Sequence, residues 1–372
     1  MTRFRSSFAV VAMLVCVAAI VAVPTNAVAQ KDNKPKTKKS DSAGVRLPKP
    51  ETAIPPLFAS ESPLAVTFTT NVKQLRGDRG ETSPWRNATM TYVGGDGKTV
   101  TVPMRAKTHG IWRLKHCSFP PLRLNVSNKE AKGTLFYDLQ KPKFVNACND
   151  RDNFEQLLLQ EMQLYRVYHL LTPMSHRVRT LRVKYADSSS GKDEATRYAF
   201  LFEDPDELAD RIGGAMMKVK GAGGEDIEPE QAALVYLFQF MIGNTDFSFN
   251  GLHNGELVQK PDGSPVLPIA YDFDFSGAVN APYATVDPRL PIKRVRDRIY
   301  RGYCVLKPEI PAAVERFKQK KAAIYALYSD DVGKLLDQRV VRETLDYFDG
   351  FYAAISSQRD VDDMLRSCVG SR

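Results

Sequence analysis

The chain has 372 residues, with 52 Lys and Arg against 43 Asp and Glu, a formal net charge of +9 and 43% hydrophobic residues. That length suffices for one or two buried cores. Outside one short stretch the basic residues are interleaved with acids, which excludes a dedicated nucleic-acid module.

Met1–Arg5 is basic, Phe8–Val23 is apolar, and Ala27-Val28-Ala29 is a small-x-small site. Together they predict a signal peptide over 1–29, cut after Ala29. The apolar run is short for a membrane anchor, and no other stretch is long enough to span a bilayer. The expectation is an exported chain, periplasmic or secreted, with no transmembrane helix after cleavage. Residues 30–57 read as a linker, and 30–49 hold six Lys and one Arg against two Asp. This tether is either solvated or in peripheral contact with an anionic envelope surface.

A β-rich half is expected over 58–204. Pro63–Thr70 alternates like a strand. Ala88–Val93 and Lys98–Ala106 flank Gly94-Gly95-Asp96-Gly97, which is a hairpin signal or, more sharply, a phosphate-cradling loop. Phe119–Val126 and Phe144–Ala147 are further strands, and Arg123 in the first of them is a candidate phosphate contact. A helix over Glu155–Leu171 is predicted to start at an Asp152 or Asn153 cap and to bury one broad face. Arg177–Tyr185 and Arg197–Phe202 form another hairpin.

A mainly helical half is expected over 205–372. Asp204 is a natural cap for Pro205–Ile212, and Glu230–Gly243 is apolar nearly all round, as a buried pillar would be. After it comes Asn244-Thr245-Asp246, then His253-Asn254, then two short runs joined by Lys260-Pro261-Asp262-Gly263, a hairpin signal. The second run ends on Tyr271-Asp272-Phe273-Asp274. The two ends of a hairpin lie side by side, so Asp246, Asn254, Asp272 and Asp274 are expected to converge. His253 stands beside them and is placed to orient Asp246 or Asn254. Thr285–Arg301 is basic and serves either an acidic partner or internal salt bridges. Ala312–Tyr328, Asp330–Leu336, Arg339–Ser356 and Val361–Leu365 read as amphipathic helices.

Four cysteines follow the signal peptide, an even number that favours disulfides in an exported chain. The pairing Cys117–Cys148 and Cys304–Cys368 keeps each bond within one half. No cysteine or histidine pair has zinc-site spacing.

Converging Asp and Asn side chains suit phosphoryl transfer. One carboxylate accepts the proton of the attacking hydroxyl, and oxygen ligands hold Mg2+ against phosphates. The order Asn244-x-Asp246, Asn254, Asp272-x-Asp274 resembles the CotH-type spore-coat kinase-like family and, more remotely, the HipA-type kinases. Asn254 is preferred over Asn250 as the metal-binding amide, because a strand begins right after it. The resemblance implies an α+β, two-lobe atypical protein-kinase-like fold, with ATP and Mg2+ as cofactors and an envelope protein or peptide as acceptor. It assigns Asp246 as base, Asn254 and Asp272 as metal ligands, and Asp274 as an auxiliary acid. Lys143 would grip phosphates and be held by Glu161, Gly110 would belong to a loop over the nucleotide, and Glu203 would lie at the hinge that meets the base. ATP is scarce outside the cytoplasm. Two alternatives therefore stand beside this reading: a catalytically inactive envelope protein binding a peptide or glycan, and a small-molecule or sugar phosphotransferase.

Overall fold

The computed structural model describes residues 54–80 and 82–370. The signal peptide and the basic stretch 30–49 lie outside the described residues. Among the described residues, no helix is long and apolar enough to cross a membrane.

Seven strands come from the first half: β1 (Leu64–Thr70), β2 (Arg86–Val93), β3 (Thr99–Thr108), β4 (Leu122–Val126), β5 (Lys143–Asn146), β6 (Val178–Asp187) and β7 (Asp193–Phe202). They form a closed barrel in the order β1-β2-β3-β4-β5-β7-β6. All neighbours pair antiparallel except β1 and β6, which run parallel from Leu64↔Leu181 to Thr70↔Asp187 and close the ring. Alternate residues point inward. Phe68, Met90, Val102, Leu122, Leu124, Phe144 and Leu181 fill the interior and are fully buried.

This closure corrects the expected two-lobe kinase-like fold. The α+β class holds, but the β-rich half is a barrel. Alternation identifies each strand locally, and it carries no information on whether β1 returns to β6, a pairing between residues 117 apart at its first register position (Leu64 and Leu181). The Gly94–Gly97 stretch closes the β2–β3 hairpin, with Gly94 N–H donating to the Lys98 carbonyl at 2.8 Å.

Three short helices, α1 (Val72–Gly77), α2 (Trp112–His116) and α3 (Asn128–Ala131), lie between barrel strands. The long helix α4 (Asp152–Leu171) starts one residue after Arg151 rather than at an Asp or Asn cap. It belongs to a second core outside the barrel. There Leu158, Met162, Tyr165 and Tyr168 join the residues of α6 (Pro229–Ile242), which follows α5 (Pro205–Arg211). Every residue of α6 from Gln231 to Ile242 is buried, as its all-round apolar sequence requires. Gly243 ends it at φ +62°, and a Cβ there would collide with the Tyr347 hydroxyl, so the position admits only glycine.

The hairpin expected after α6 is present. β8 (Ala215–Met216), β9 (Gly255–Gln259) and β10 (Leu267–Ala270) form a small antiparallel sheet in the order β10-β9-β8, with Ala270 opposite Gly255. The chain ends in α7 (Ile310–Ala326), α8 (Gln338–Ala354) and α9 (Gln358–Met364). The stretch expected as a helix over Asp330–Leu336 holds only a 3-10 turn at Gly333–Leu335. Cys117 is bonded to Cys148 and Cys304 to Cys368, the pairing expected from the sequence.

Candidate functional site

The loop after α6 is built to present one carboxylate. Buried Asn244 accepts a hydrogen bond from Asp246 N–H at 3.0 Å and donates to Gln239 Oε1 at 3.0 Å, so it braces the turn. Phe247 and Phe249 anchor the loop in the core, and Arg301 donates to the carbonyls of Thr245 and Phe247. Ser248 and His253 exchange backbone bonds of 2.8 and 2.9 Å, which folds the loop back on itself. As a result Asn254 meets Asp246. Its amide nitrogen donates to the Asp246 carbonyl at 2.8 Å and to Oδ2 at 3.0 Å. This leaves Oδ1 as the oxygen available to a cation. His253 Nε2 bonds Asp246 Oδ1 at 2.9 Å, the orienting contact expected of it. Asn250 turns away, donating to the Ala222 carbonyl at 3.2 Å.

The second acidic segment joins this loop through the β9–β10 hairpin, with Tyr271 N–H donating to the Asn254 carbonyl at 3.3 Å. Asn254 and Asp272 both lie in the left-handed region, at φ +48° and +62°. Non-glycine residues reach this region at a cost, and such residues cluster at functional sites. Asp272 N–H donates to the Tyr165 hydroxyl at 2.8 Å, while Phe273 packs into the core 4.6 Å from the Tyr165 ring and 5.3 Å from Phe238. With Phe273 committed to the core, Asp274 is buried too, accepting from the Tyr283 hydroxyl at 3.1 Å.

One guanidinium serves this acidic wall. Arg113, from α2, reaches Glu161 at 3.3 Å, Asp274 at 4.0 Å and the Asn146 carbonyl at 2.7 Å. Burial pushes the Asp274 carboxyl up to about 7; the charge of Asp272 adds to this, and Arg113 and Tyr283 offset only part of it. Burial likewise raises Glu161 well above the usual carboxylate range, against the pull of Arg113. Burial disfavours the charged form of Arg113, but Glu161, Asp274 and Asp272 outweigh it and hold the guanidinium charged. The raised carboxyls report burial first and the neighbouring acids second.

A second wall, on the barrel strands, is basic. Lys107, Arg123 and Lys143 sit opposite one another across β3, β4 and β5, with Phe202 of β7 next in the row. Their neighbours Leu122, Leu124 and Phe144 point into the barrel, so the row points outward. Its Lys107 and Arg123 border a cavity of about 700 Å³ that Trp85, His109, Asp204, Glu256 and Tyr271 also line. Lys143 lies 4.2 Å from the Tyr271 ring and 4.8 Å from Phe202, and Arg123 pairs with Asp204 at 3.2 Å. Burial lowers the Lys143 ammonium, opposed by Glu256 and Asp272. Burial together with the charges of Lys143, Arg123 and Lys107 brings His109 down to about 3, so its imidazole is neutral. Burial would raise Glu256, but His176, bonded at 2.8 Å, and Lys143 hold it below its ordinary value.

Two expected roles change. Glu161 is bound by Arg113, and Lys143 feels it only at long range. Arg113 went unrecognised because it sits on a five-residue helix with no periodicity to mark it. Glu203 does not offer a hinge. Its carboxylate holds Arg211 at 2.9 Å, its N–H donates to the Arg177 carbonyl, and its carbonyl faces His176 Nδ1. Asp204, in contrast, both caps α5 and lines the cavity. Gly110, at φ +108°, turns the chain from His109 at the cavity into the segment that carries Arg113. The basic stretch 285–301 divides: Arg298 donates to the carbonyls of Phe240, Met241 and Tyr347 and Arg301 holds the Asp246 loop, while Arg289 and Arg294 are exposed and pair with Asp287 and Asp297.

The candidate donors Asn254, Asp272 and Asp274 all offer oxygens, as a hard cation such as Mg2+ requires. Among the described residues, no group of three or more His, Cys, Asp and Glu is arranged to hold a metal ion; the candidate set is two acids and an amide. No protein-family model matches the sequence, and no curated protein shows significant similarity to it.

Proposed function

We propose that the chain is an exported phosphotransferase that takes phosphate from MgATP and passes it to a protein hydroxyl. The observation that carries this reading is a cationic row (Lys107, Arg123, Lys143) beside a cavity lined by Tyr271, the residue from which the chain passes into Asp272 and Asp274, with Glu161 and Asp274 sharing one guanidinium. The cationic row suits phosphate oxygens. Asn254 Oδ1 and Asp272 would hold the magnesium ion, with Asp274 behind them. A bound magnesium ion would neutralise charge on the transferring phosphoryl group. Asp246, hydrogen-bonded to His253, would take the acceptor proton. The two disulfides are compatible with export to an oxidising compartment.

Thermal unfolding with and without millimolar MgATP, together with transfer of labelled phosphate, tests the reading. Magnesium-dependent stabilisation and labelled product are expected; the absence of both rejects it. A second reading, an inactive protein that binds a peptide or glycan, has one observation in its favour: both carboxylate oxygens of Asp246 are already engaged, by His253 and Asn254. Stabilisation by MgATP without transfer to any acceptor, water included, would favour that class.

A further inference from the structure

The acidic wall depends on a short arm. Helix α2 has five residues and cannot hold its own geometry. Its last turn is tied down instead. Cys117, the residue that closes it, is bonded to Cys148, two residues beyond Asn146 at the end of β5. Ser118 N–H donates to the Cys148 carbonyl at 2.9 Å. From the other side Arg79 donates to the carbonyls of Leu114, Cys117 and Ser118 at 2.8, 2.6 and 2.9 Å. The arm delivers Arg113, whose Nη2 bonds the Asn146 carbonyl and whose Nη1 stands between Glu161 and Asp274. The disulfide and Arg113 thus clamp α2 to the same end of β5, one covalently and one by a hydrogen bond.

We propose that the Cys117–Cys148 disulfide preorganises the cation site: it fixes the arm that places Arg113 between Glu161 and Asp274, so the oxidised chain holds a divalent ion more tightly than the reduced one. This rests on reading the acidic wall as a cation site. Arg113 is a positioning residue: it bonds Glu161 at 3.3 Å and stands 4.0 Å from Asp274, and it touches neither Asn254 nor Asp272. A dithiol opens the bond by exchange. Its thiolate attacks one sulfur, its second thiol resolves the mixed disulfide, and Cys117 and Cys148 leave as thiols while the reductant becomes a disulfide. Both sulfurs belong to buried residues, so paired serine substitutions are the cleaner probe.

The experiment titrates Mn2+ alone into the full-length oxidised chain and reads bound metal by electron paramagnetic resonance. Cys117→Ser/Cys148→Ser is expected to weaken Mn2+ binding by about tenfold or more, the size of effect seen when groups behind metal ligands are removed. Cys304→Ser/Cys368→Ser is expected to bind as the wild type does. Arg113→Gln should reproduce the loss with both disulfides intact, and Arg113→Lys should recover most of it. If the paired serine variant does not fold, Arg113→Gln and Arg113→Lys carry the test. Wild-type affinity in Cys117→Ser/Cys148→Ser, or in Arg113→Gln, overturns the proposal while leaving the cation site standing. No Mn2+ bound by the oxidised wild type rejects the cation site itself, and the proposal with it.

Discussion

The basic row and the acidic cluster, the two walls of the candidate site, are built on opposite plans. The basic wall stands on regular strands, where β-register alone aligns Lys107, Arg123 and Lys143. The acidic wall stands on irregular backbone, with Asn254 and Asp272 in left-handed conformations. Regular strands need no special residue to hold a side chain on one face. The irregular wall needs many supports: Asn244, His253, Tyr165, Tyr283 and an arginine from another segment. The acidic wall should therefore be the more fragile, and substitutions there should cost more.

The largest effect is expected at Phe273. Its ring is fully buried, and Phe273→Ala should cost roughly 3–5 kcal/mol in urea unfolding. A loss under 1 kcal/mol would mean the acidic segment is not held by the core. Next, Asp272→Ala should lower phosphate transfer by about a hundredfold or more, as loss of a preorganised charge-stabilising group does. Lys143→Met, on the regular wall, should raise the KM for MgATP by about tenfold, with a smaller effect on stability than Phe273→Ala. Equal losses at Asp272 and Lys143 would remove the contrast between the walls.

A pH series sharpens it. Asp274 titrates near 7 when folded, against an ordinary value of 3.8, so the folded chain binds the extra proton. Its contribution to stability is present below pH 4 and is lost as pH rises toward 7. Relative to Asp274→Asn, wild-type stability should fall across that window, and Mg2+ should restore it at pH 7 and above. His109, whose folded value is near 3, works in the opposite sense, gaining stability as pH rises toward 6.5, which is why the comparison must be made against the Asp274 variant. The smallest effect is expected at Asn250→Ala. That exposed side chain bonds the Ala222 carbonyl, so activity should stay within about twofold.

These contrasts follow how the molecule can be read from its sequence. Alternation marked β1, and turn residues marked the β2–β3 and β9–β10 hairpins, because these signals lie within a few residues of each other. The spacing around one hairpin was likewise enough to bring Asn254 onto Asp246 and the backbone before Asp272 beside Asn254. Barrel closure by β1 and β6 was not legible, since parallel pairing leaves no mark in either strand alone. The partner of Glu161 was missed for a related reason. Lys143 begins a strand near α4, whereas Arg113 arrives 48 residues upstream of Glu161 on an arm held by Arg79 and a disulfide. Glu203 was misread because its backbone and carboxylate partners, Arg177 and Arg211, satisfy groups that sequence alone leaves open.

The most direct test of the central claim is a crystal structure of the chain soaked with MgATP. The account predicts a metal ion bound by Asn254 Oδ1 and Asp272, with phosphates along Lys143 and Arg123. Metal bound elsewhere, or a nucleotide that leaves both walls of the candidate site empty, would contradict it.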